Sequence, residues 1–326
     1  MIDWPRLVEL VHRHHRFLLT THVRPDCDAI GSCLGFAKIL DHLGKEAQIV
    51  VGYELPPGLT FLDPEGRVRR LGTDVSSEWV ESIDALVILD TSAWAQLAHI
   101  EGVIRGTAAV KLVVDHHVSG DELDAEYFKD FSAEATGRLV AAAAERLGVP
   151  MTAEIADALF AALATDTGWF RFSSTDGDTY RLAGALVDAG VSPAALYAEL
   201  YENESLARLQ LIGRVMARCR TDLDGRVVFT HIRRRDFEET GAHPADSEDL
   251  INMTLSVEGT EVALILVEQR DGCFKVSLRS RCPLDCSDLL AAFGGGGHKA
   301  AAGAMVAGPL ETAQARLLDA IRAAMR

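Results

Sequence analysis

Four short apolar runs, "RFLLTTHV", "AQIVVGY", "DALVILD" and "VKLVVDHH", recur through the first part of the sequence. They are rich in Val, Ile and Leu and show little alternation with polar residues. A strand of this kind has both faces covered, the condition of a central strand in a parallel sheet. Helical stretches separate or follow the runs: "DAIGSCLGFAKILDHLG", stopped by a glycine, then "AEATGRLVAAAAERLG" and "TAEIADALFAALATD". The alternation predicts an α/β fold with an open, doubly wound, mainly parallel sheet.

Ligands of such sheets gather beyond the carboxyl ends of the strands. The segment "TTHVRPDCDAIGS" places His22, Asp26 and Asp28 just past the first run. Asp90 ends "DALVILD", Asp115, His116 and His117 end "VKLVVDHH", and Asp166 ends a helical run. Far apart in sequence, these groups fall on one rim if the strands are parallel neighbours. Crowded carboxylates and imidazoles are costly unless cations sit among them. Oxygen and imidazole donors without thiolate favour Mn²⁺ or a similar divalent ion over structural zinc. The donors exceed what one open ion uses. Two divalent ions sharing a carboxylate are expected, an arrangement suited to displacement at phosphorus.

Near residue 190 the pattern changes. "SPAALYAELYENESLARLQLIGRVMARCR" reads as helix with a break near Asn203. "GRVVFTHI", "EVALILVEQRDG" and "CFKVSLRSR" read as strands, the last two joined by the turn signal Asp271-Gly272. A short helix around "CSDLLAAF", the run "GGGGHKAAAG" and an amphipathic helix, "LETAQARLLDAIRAAMR", follow. The expected organisation is a metal-binding domain over 1–190, a helical connector over 191–222 and a smaller mixed α/β domain over 223–326. Glycine backbone can cradle an anion without side-chain obstruction. Arg279 and Ser280, at the end of a strand, offer a guanidinium and a hydroxyl to a phosphate.

At 326 residues the chain can fill two cores. The net charge of −16 argues against coating long duplex nucleic acid through a basic face, while a metal site can still attract a nucleotide. No run has the length of a membrane span, and the first residues lack the pattern of a secretory signal. Six scattered cysteines read as reduced thiols, so a cytoplasmic protein is expected. "VHRHHR" reads as a solvated helix end, "RRR" at 233–235 as a solvated turn, and Cys282 and Cys286 as free thiols. Arg171, in "GWFRF", stays open between a structural and a substrate-touching role.

Taken together, "HVRPDCDAIGS", "LD" at 89–90, "VVDHH" and "ATDTGWFRFSST" resemble the motifs of the DHH phosphoesterase superfamily. "SLRS" and "GGGGHKAAAG" resemble its associated C-terminal nucleotide-binding domain. The likeness spans nearly the whole chain in order and is nearest to the stand-alone nanoRNase/pAp-phosphatase group. It implies that His22, Asp26 and Asp90 hold one metal ion and that Asp28, Asp90, His116 and Asp166 hold a second, with Asp90 bridging. Mn²⁺ is the expected ion, with Mg²⁺ or Co²⁺ as alternatives. His117 would face the scissile phosphate and stabilise or protonate the leaving oxygen, and Asp115 would orient a ligand without binding metal itself. Arg279, Ser280, Gly296, Gly297 and His298 would grip the substrate end away from the cut, with the active site in the cleft between domains. Cys27 stands where the family usually has glycine, and Gly120 where asparagine commonly follows the histidines.

The implied activity is hydrolysis of very short oligonucleotides to mononucleotides and release of phosphate from 3′-phosphoadenosine 5′-phosphate. A dedicated cyclic-di-AMP phosphodiesterase, a processive single-strand exonuclease and a non-catalytic nucleotide-binding module remain as alternatives. The resemblance also makes a homodimer plausible.

Overall fold

The structure is a computed structural model describing residues 2–325. The chain divides into two compact units, with the boundary between Glu202 and Asn203.

In the first unit the order is α1 (Trp4–Arg13), β1 (Arg16–Thr20), α2 (Cys27–His42), β2 (Glu46–Val51), β3 (Val68–Arg70), α3 (Ser77–Glu81) and β4 (Ala85–Leu89). Then come α4 (Glu101–Gly106), β5 (Val110–Asp115), β6 (Glu126–Lys129), α5 (Thr136–Arg146), α6 (Ala153–Asp166), α7 (Gly177–Asp188) and α8 (Pro193–Tyr201). The strands form one sheet in the order β3-β2-β1-β4-β5-β6, and every pair is parallel. From β1 the chain runs outward to β3, then returns to lay β4 on the other side of β1. The gap between β1 and β4 is therefore the topological switch point of a doubly wound sheet.

Alternation along each strand explains the continuous apolar runs. Phe17 and Leu19 of β1, with Val87 and Leu89 of β4, enter one core with Leu10 of α1, Ile30 of α2, Leu139 of α5 and Leu159 of α6. Leu18, Leu86 and Ile88 enter a second core on the other face, with Leu97 and Ile104. The edge strands β3 and β6 were not among the expected runs. "VRR" and "EYFK" are only partly buried and carry no apolar run to mark them.

Helices α2 and α6 approach closely because α2 presents glycine. A Cβ on Gly31 would lie 2.4 Å from the Ala158 carbonyl oxygen, and one on Gly35 would lie 2.6 Å from Leu159 Cδ2. Backbone contact at Gly31 sets the spacing of the two helices, whose ends carry Asp28 and Asp166.

The second unit holds α9 (Leu206–Ala217), β7 (Arg220–Asp222), β8 (Val227–Ile232), α10 (Arg234–Thr240), α11 (Leu250–Thr254), β9 (Val262–Glu268) and β10 (Phe274–Ser280). It ends with α12 (Cys286–Ala291), β11 (Gly296–His298), β12 (Ala301–Val306) and α13 (Leu310–Ala324). Its sheet runs β11-β12-β10-β9-β8-β7, with only the β8–β9 pair parallel. One face packs on α12 and α13 through Leu264, Val276, Leu290 and Leu317. The other packs on α9 and α11 through Ile265, Leu211 and Leu250.

The expected helical connector is divided by the unit boundary. Helix α8 belongs to the first unit, whereas α9 packs Leu211 and Val215 into the second. The arginine run at 233–235 enters helix instead of turning in solvent, with Arg233 at the N-cap of α10. The break near Asn203 and the Asp271-Gly272 turn fall where the sequence places them, Gly272 taking a φ of 77°.

Candidate metal centre

The switch point collects the acids and histidines from five segments. His22 follows β1, Asp26 caps α2 by accepting the Ala29 amide at 3.0 Å, and Asp28 lies in the first turn of that helix. Asp90 follows β4 with a φ of 64°, a left-handed conformation uncommon outside glycine that re-aims its carboxylate. His116 and His117 follow β5, and Asp166 is the last residue of α6.

Donor atoms converge in three overlapping groups: His22, Asp26 and Asp90; Asp28, His116 and Asp166; and Asp90, His116 and His117. Within each group the candidate ligand atoms lie within 4.8 Å of one another. Asp90 and His116 link the groups. The Asp90 carboxylate is 3.3 Å from His22 Nε2 and 3.6 Å from His116 Nε2. His116 Nε2 also stands 3.5 Å from Asp166 and 3.9 Å from Asp28.

Hydrogen bonds fix how the imidazoles present themselves. His22 Nδ1 donates to the Val23 carbonyl at 2.8 Å, and His116 Nδ1 to the Ala133 carbonyl at 3.1 Å. In a neutral ring each then turns an Nε2 lone pair toward the carboxylates, the orientation that metal-binding histidines adopt. Asp28 is positioned by the start of α5, accepting the Thr136 amide at 2.7 Å and the Gly137 amide at 2.9 Å, with Ser32 Oγ at 3.1 Å. The Thr136 hydroxyl donates to Asp90 at 2.9 Å, so one residue ties two carboxylates. Nothing in "AEATG" distinguishes Thr136 from an ordinary helix start, and sequence reasoning missed it.

Electrostatics supply the test of fit. Asp28 and Asp90 are almost fully buried. Burial pushes both carboxyls above their ordinary range, and Asp28 adds to the rise at Asp90. Burial and the Asp28 charge raise Asp166 to about 6, and Asp166 also sits at the negative end of its helix. Among the described residues, only histidines form ion pairs with these acids. Oriented oxygen and imidazole donors with no lysine or arginine to balance them suit a hard divalent cation.

Asp115 and His117 form a separate pair. Asp115 is buried and accepts from His117 Nδ1 at 2.9 Å, the His117 amide at 3.0 Å, Ser92 Oγ at 2.8 Å and Lys129 Nζ at 2.9 Å. These donors outweigh burial and hold its carboxyl well below the usual range, while its hydrogen bond raises His117. His117 is half exposed. With Nδ1 engaged, its Nε2 is the nitrogen available to a ligand. A cavity of about 240 Å³ opens here, lined by His22, Asp26, Asp90, Ser92, His117 and Asp166 among others. A larger cavity of about 410 Å³, lined by Leu34, Lys38, Phe61 and Glu154, holds none of the cluster.

The two departures from the family pattern now have physical content. Burial, with the Asp26 charge, pushes the Cys27 thiol up to about 12, so it stays protonated and adds no thiolate donor. At Gly120 a Cβ would lie 2.2 Å from Ser92 Oγ. That hydroxyl both donates to Asp115 and accepts from Lys129. Gly120→Asn should displace Ser92, loosen Asp115 and lower turnover roughly ten- to hundred-fold, the cost of losing a supporting hydrogen bond. Adding Ser92→Gly, which clears the space, should not restore turnover, because Asp115 still lacks the Ser92 hydroxyl. Steady-state kinetics of the single and double variants measure this.

In the second unit, register sorts the remaining candidates. His298 pairs with Ala301, and Ala301 with Arg279, so His298 and Arg279 share one face of the sheet. Gly296 pairs with Gly303, which pairs with Ser277, on that same face. Arg279 lines a cavity of about 250 Å³ with Lys275, Ser277 and Asp249. Ser280 points to the opposite face, as strand alternation requires. It is buried and its hydroxyl donates to the Cys282 carbonyl at 3.1 Å. Arg279 and Ser280 are adjacent in sequence but are not brought together. Gly297 also belongs to the opposite face, where a Cβ would meet the Ala301 carbonyl oxygen at 2.6 Å. That contact lets β11 lie against β12.

A doubly wound sheet with oriented aspartates and histidines at its switch point defines an α/β domain with a candidate metal centre, here followed by a mixed-sheet domain. Residues 16–163 match the DHH family N-terminal domain, and residues 224–326 match the DHHA1 domain. The bifunctional oligoribonuclease and PAP phosphatase NrnA of Thermus thermophilus is 35% identical over 309 residues, covering 93% of this chain and 88% of the relative. The Bacillus subtilis protein of the same name is 26% identical over 303 residues, covering 92% of each. The chain belongs to the DHH family, with a DHHA1 domain as its second unit.

Solved structures repeat the fold. An exopolyphosphatase-related protein from Bacteroides fragilis superposes with a TM-score of 0.83 at 24% identity, covering 98% of this chain and 95% of that one. Exonuclease RecJ bound to manganese gives 0.54 at 15% identity, covering 99% and 95%. No helix among the described residues is long and apolar enough to cross a membrane.

Proposed function

We propose that this protein is a metal-dependent phosphoesterase that hydrolyses very short oligonucleotides to mononucleotides and dephosphorylates 3′-phosphoadenosine 5′-phosphate. The observation that carries the reading is the oriented donor cluster at the switch point, in a chain 35% identical to a protein bearing both activities in its name. His22, Asp26 and Asp90 are assigned to one divalent ion, and Asp28, Asp90, His116 and Asp166 to a second, with Mn²⁺ the preferred metal. Bound divalent ions supply charge neutralisation at the phosphoryl oxygens and acidify water at neutral pH.

The chain's own groups do the rest. Thr136 and the α5 amides keep Asp28 and Asp90 in place before substrate arrives. Asp115 holds His117 so that Nε2 faces the cavity, and the raised affinity of His117 for a proton suits donation to the leaving oxygen. Arg279 and His298, on one sheet face, are assigned to the nucleotide's anionic groups, with Gly296 leaving that face open. The other two candidates are assigned to hold this face in shape, Gly297 through β11 and Ser280 through its bond to Cys282. A soluble protein acting in the cytoplasm on small adenosine nucleotides fits the acidic net charge of −16.

The test is product release by the purified chain with Mn²⁺ from pApA, 3′-phosphoadenosine 5′-phosphate, cyclic di-AMP, pyrophosphate and RNA of two to twenty nucleotides. Fast turnover of pApA and the shortest RNAs, fading with length, is expected. Preference for the cyclic substrate would replace this reading with a signalling phosphodiesterase. Absence of turnover with metal bound would leave a binding module.

A further inference from the structure

The segment after Asp166, "DTGWFRF", takes a backbone path that its composition does not favour. Gly168, Trp169 and Phe170 have φ values of 57°, 59° and 64°. Glycine adopts this region freely, but for each aromatic residue it costs on the order of 1–3 kcal/mol. Such strain persists only where the surroundings over-determine it, and here they do. The Trp169 amide donates to the Ala164 carbonyl at 2.6 Å, and the Arg171 and Phe172 amides donate to the Thr167 carbonyl at 3.1 and 3.0 Å. The Trp169 ring packs against Tyr197 at 5.0 Å and Tyr201 at 5.8 Å, and the Phe170 ring against Tyr180 at 5.7 Å.

The chain is thereby folded back so that Phe172 lies on Gly168. A Cβ on Gly168 would fall 2.5 Å from the Phe172 ring. Gly168 is two residues past Asp166, so the ring lies on the segment that leaves the candidate metal centre. Phe172 is left about half exposed, with a relative accessibility of 49%, whereas Trp169 and Phe170 are partly buried. The Arg171 guanidinium stands 5.5 Å from its ring centroid. An exposed aromatic face with a cation beside it, on the segment that leaves a candidate phosphate site, is a surface for stacking a nucleobase.

We propose that Phe172 is the stacking platform for the base of the nucleotide whose phosphate enters the metal centre, and that Arg171 supplies charge to the same nucleotide. This rests on the phosphoesterase reading and specifies how that site recognises its substrate. The strained turn orders the platform before binding, so the base meets a fixed surface. Stacking favours purines over pyrimidines by area and needs no base-edge hydrogen bonds. Of its two roles left open by the sequence, Arg171 is assigned the substrate-touching one.

The experiment measures kcat and KM of the full chain with Mn²⁺ for pApA and for the same dinucleotide with one base or the other removed. Phe172→Leu should raise KM for pApA by about ten-fold, the effect expected for a stacked base, with kcat less affected. Phe172→Tyr should retain most of the affinity. Removing the base that stacks should raise the wild-type KM by a similar factor and shrink the effect of Phe172→Leu. If Phe172→Leu raises KM equally for all substrates, or lowers kcat alone while KM is unchanged, Phe172 is a structural prop and the proposal is wrong. Circular dichroism and the melting temperature identify a folding defect, and Phe172→Tyr still decides the case if the Leu variant unfolds. A wild-type chain that turns over none of these substrates would overturn the phosphoesterase reading instead. Binding of AMP, with its dependence on Phe172, would still test the platform.

Discussion

Asp90→Asn is expected to lower turnover of every phosphoester substrate by about a thousand-fold or more, since Asp90 is assigned to both proposed metal ions. Asparagine matches the shape of aspartate and tolerates the left-handed φ of 64° at this position, so backbone strain does not confuse the result. Stability separates this variant from a folding defect. In the metal-free protein the change removes a buried charge that Asp28 and Asp26 repel, so the melting temperature should hold or rise. Wild-type protein should gain stability on adding Mn²⁺, about 2.7 kcal/mol at a hundred-fold excess over Kd. Asp90→Asn should lose most of that gain. Calorimetry with and without Mn²⁺, alongside kinetics, reads both effects. Intact turnover in this variant would refute the assignment of the metal centre.

Gly31→Ala is expected to destabilise the first unit by about 2–3 kcal/mol, near the upper range for overpacking. Its new methyl would meet the Ala158 carbonyl oxygen at 2.4 Å, and a backbone atom inside a helix cannot rotate away. Helices α2 and α6 must separate, and with them Asp28 and Asp166. The variant should therefore bind Mn²⁺ more weakly, with the loss confined to the site and not to the second unit. Thermal unfolding and metal titration measure the two effects. Ala158→Gly removes no oxygen and should not rescue it, whereas a rescue would mean that the clash is with the Ala158 side chain. An unchanged melting temperature would show that the helix pair is not limited by this contact.

The central strands were legible because burial on both faces leaves little room for polar residues, as Phe17-Leu18-Leu19 illustrates: neighbouring side chains enter different cores. The edge strands β3 and β6 were not, because a partly exposed strand need not be apolar. His22, Asp90 and His116 could be read as a rim because parallel strands bring their carboxyl ends to one side. Thr136 and Ser92 could not, because their roles depend on which carboxylates approach them in three dimensions. Arg279 and Ser280 looked like one clamp in "SLRS", yet the pleat of β10 turns them to opposite faces.

By itself the sequence determined the strand-and-helix alternation, the chemical types of the donors and their place at the ends of elements. Those follow from periodicity and from local chain geometry. Only the tertiary structure decided that β4 returns beside β1, that Gly31 lets α2 and α6 touch, and that the Gly168–Phe170 turn folds Phe172 back onto Gly168. These are outcomes of long-range packing, where the position of one residue is set by backbone contacts made by others far away in the chain.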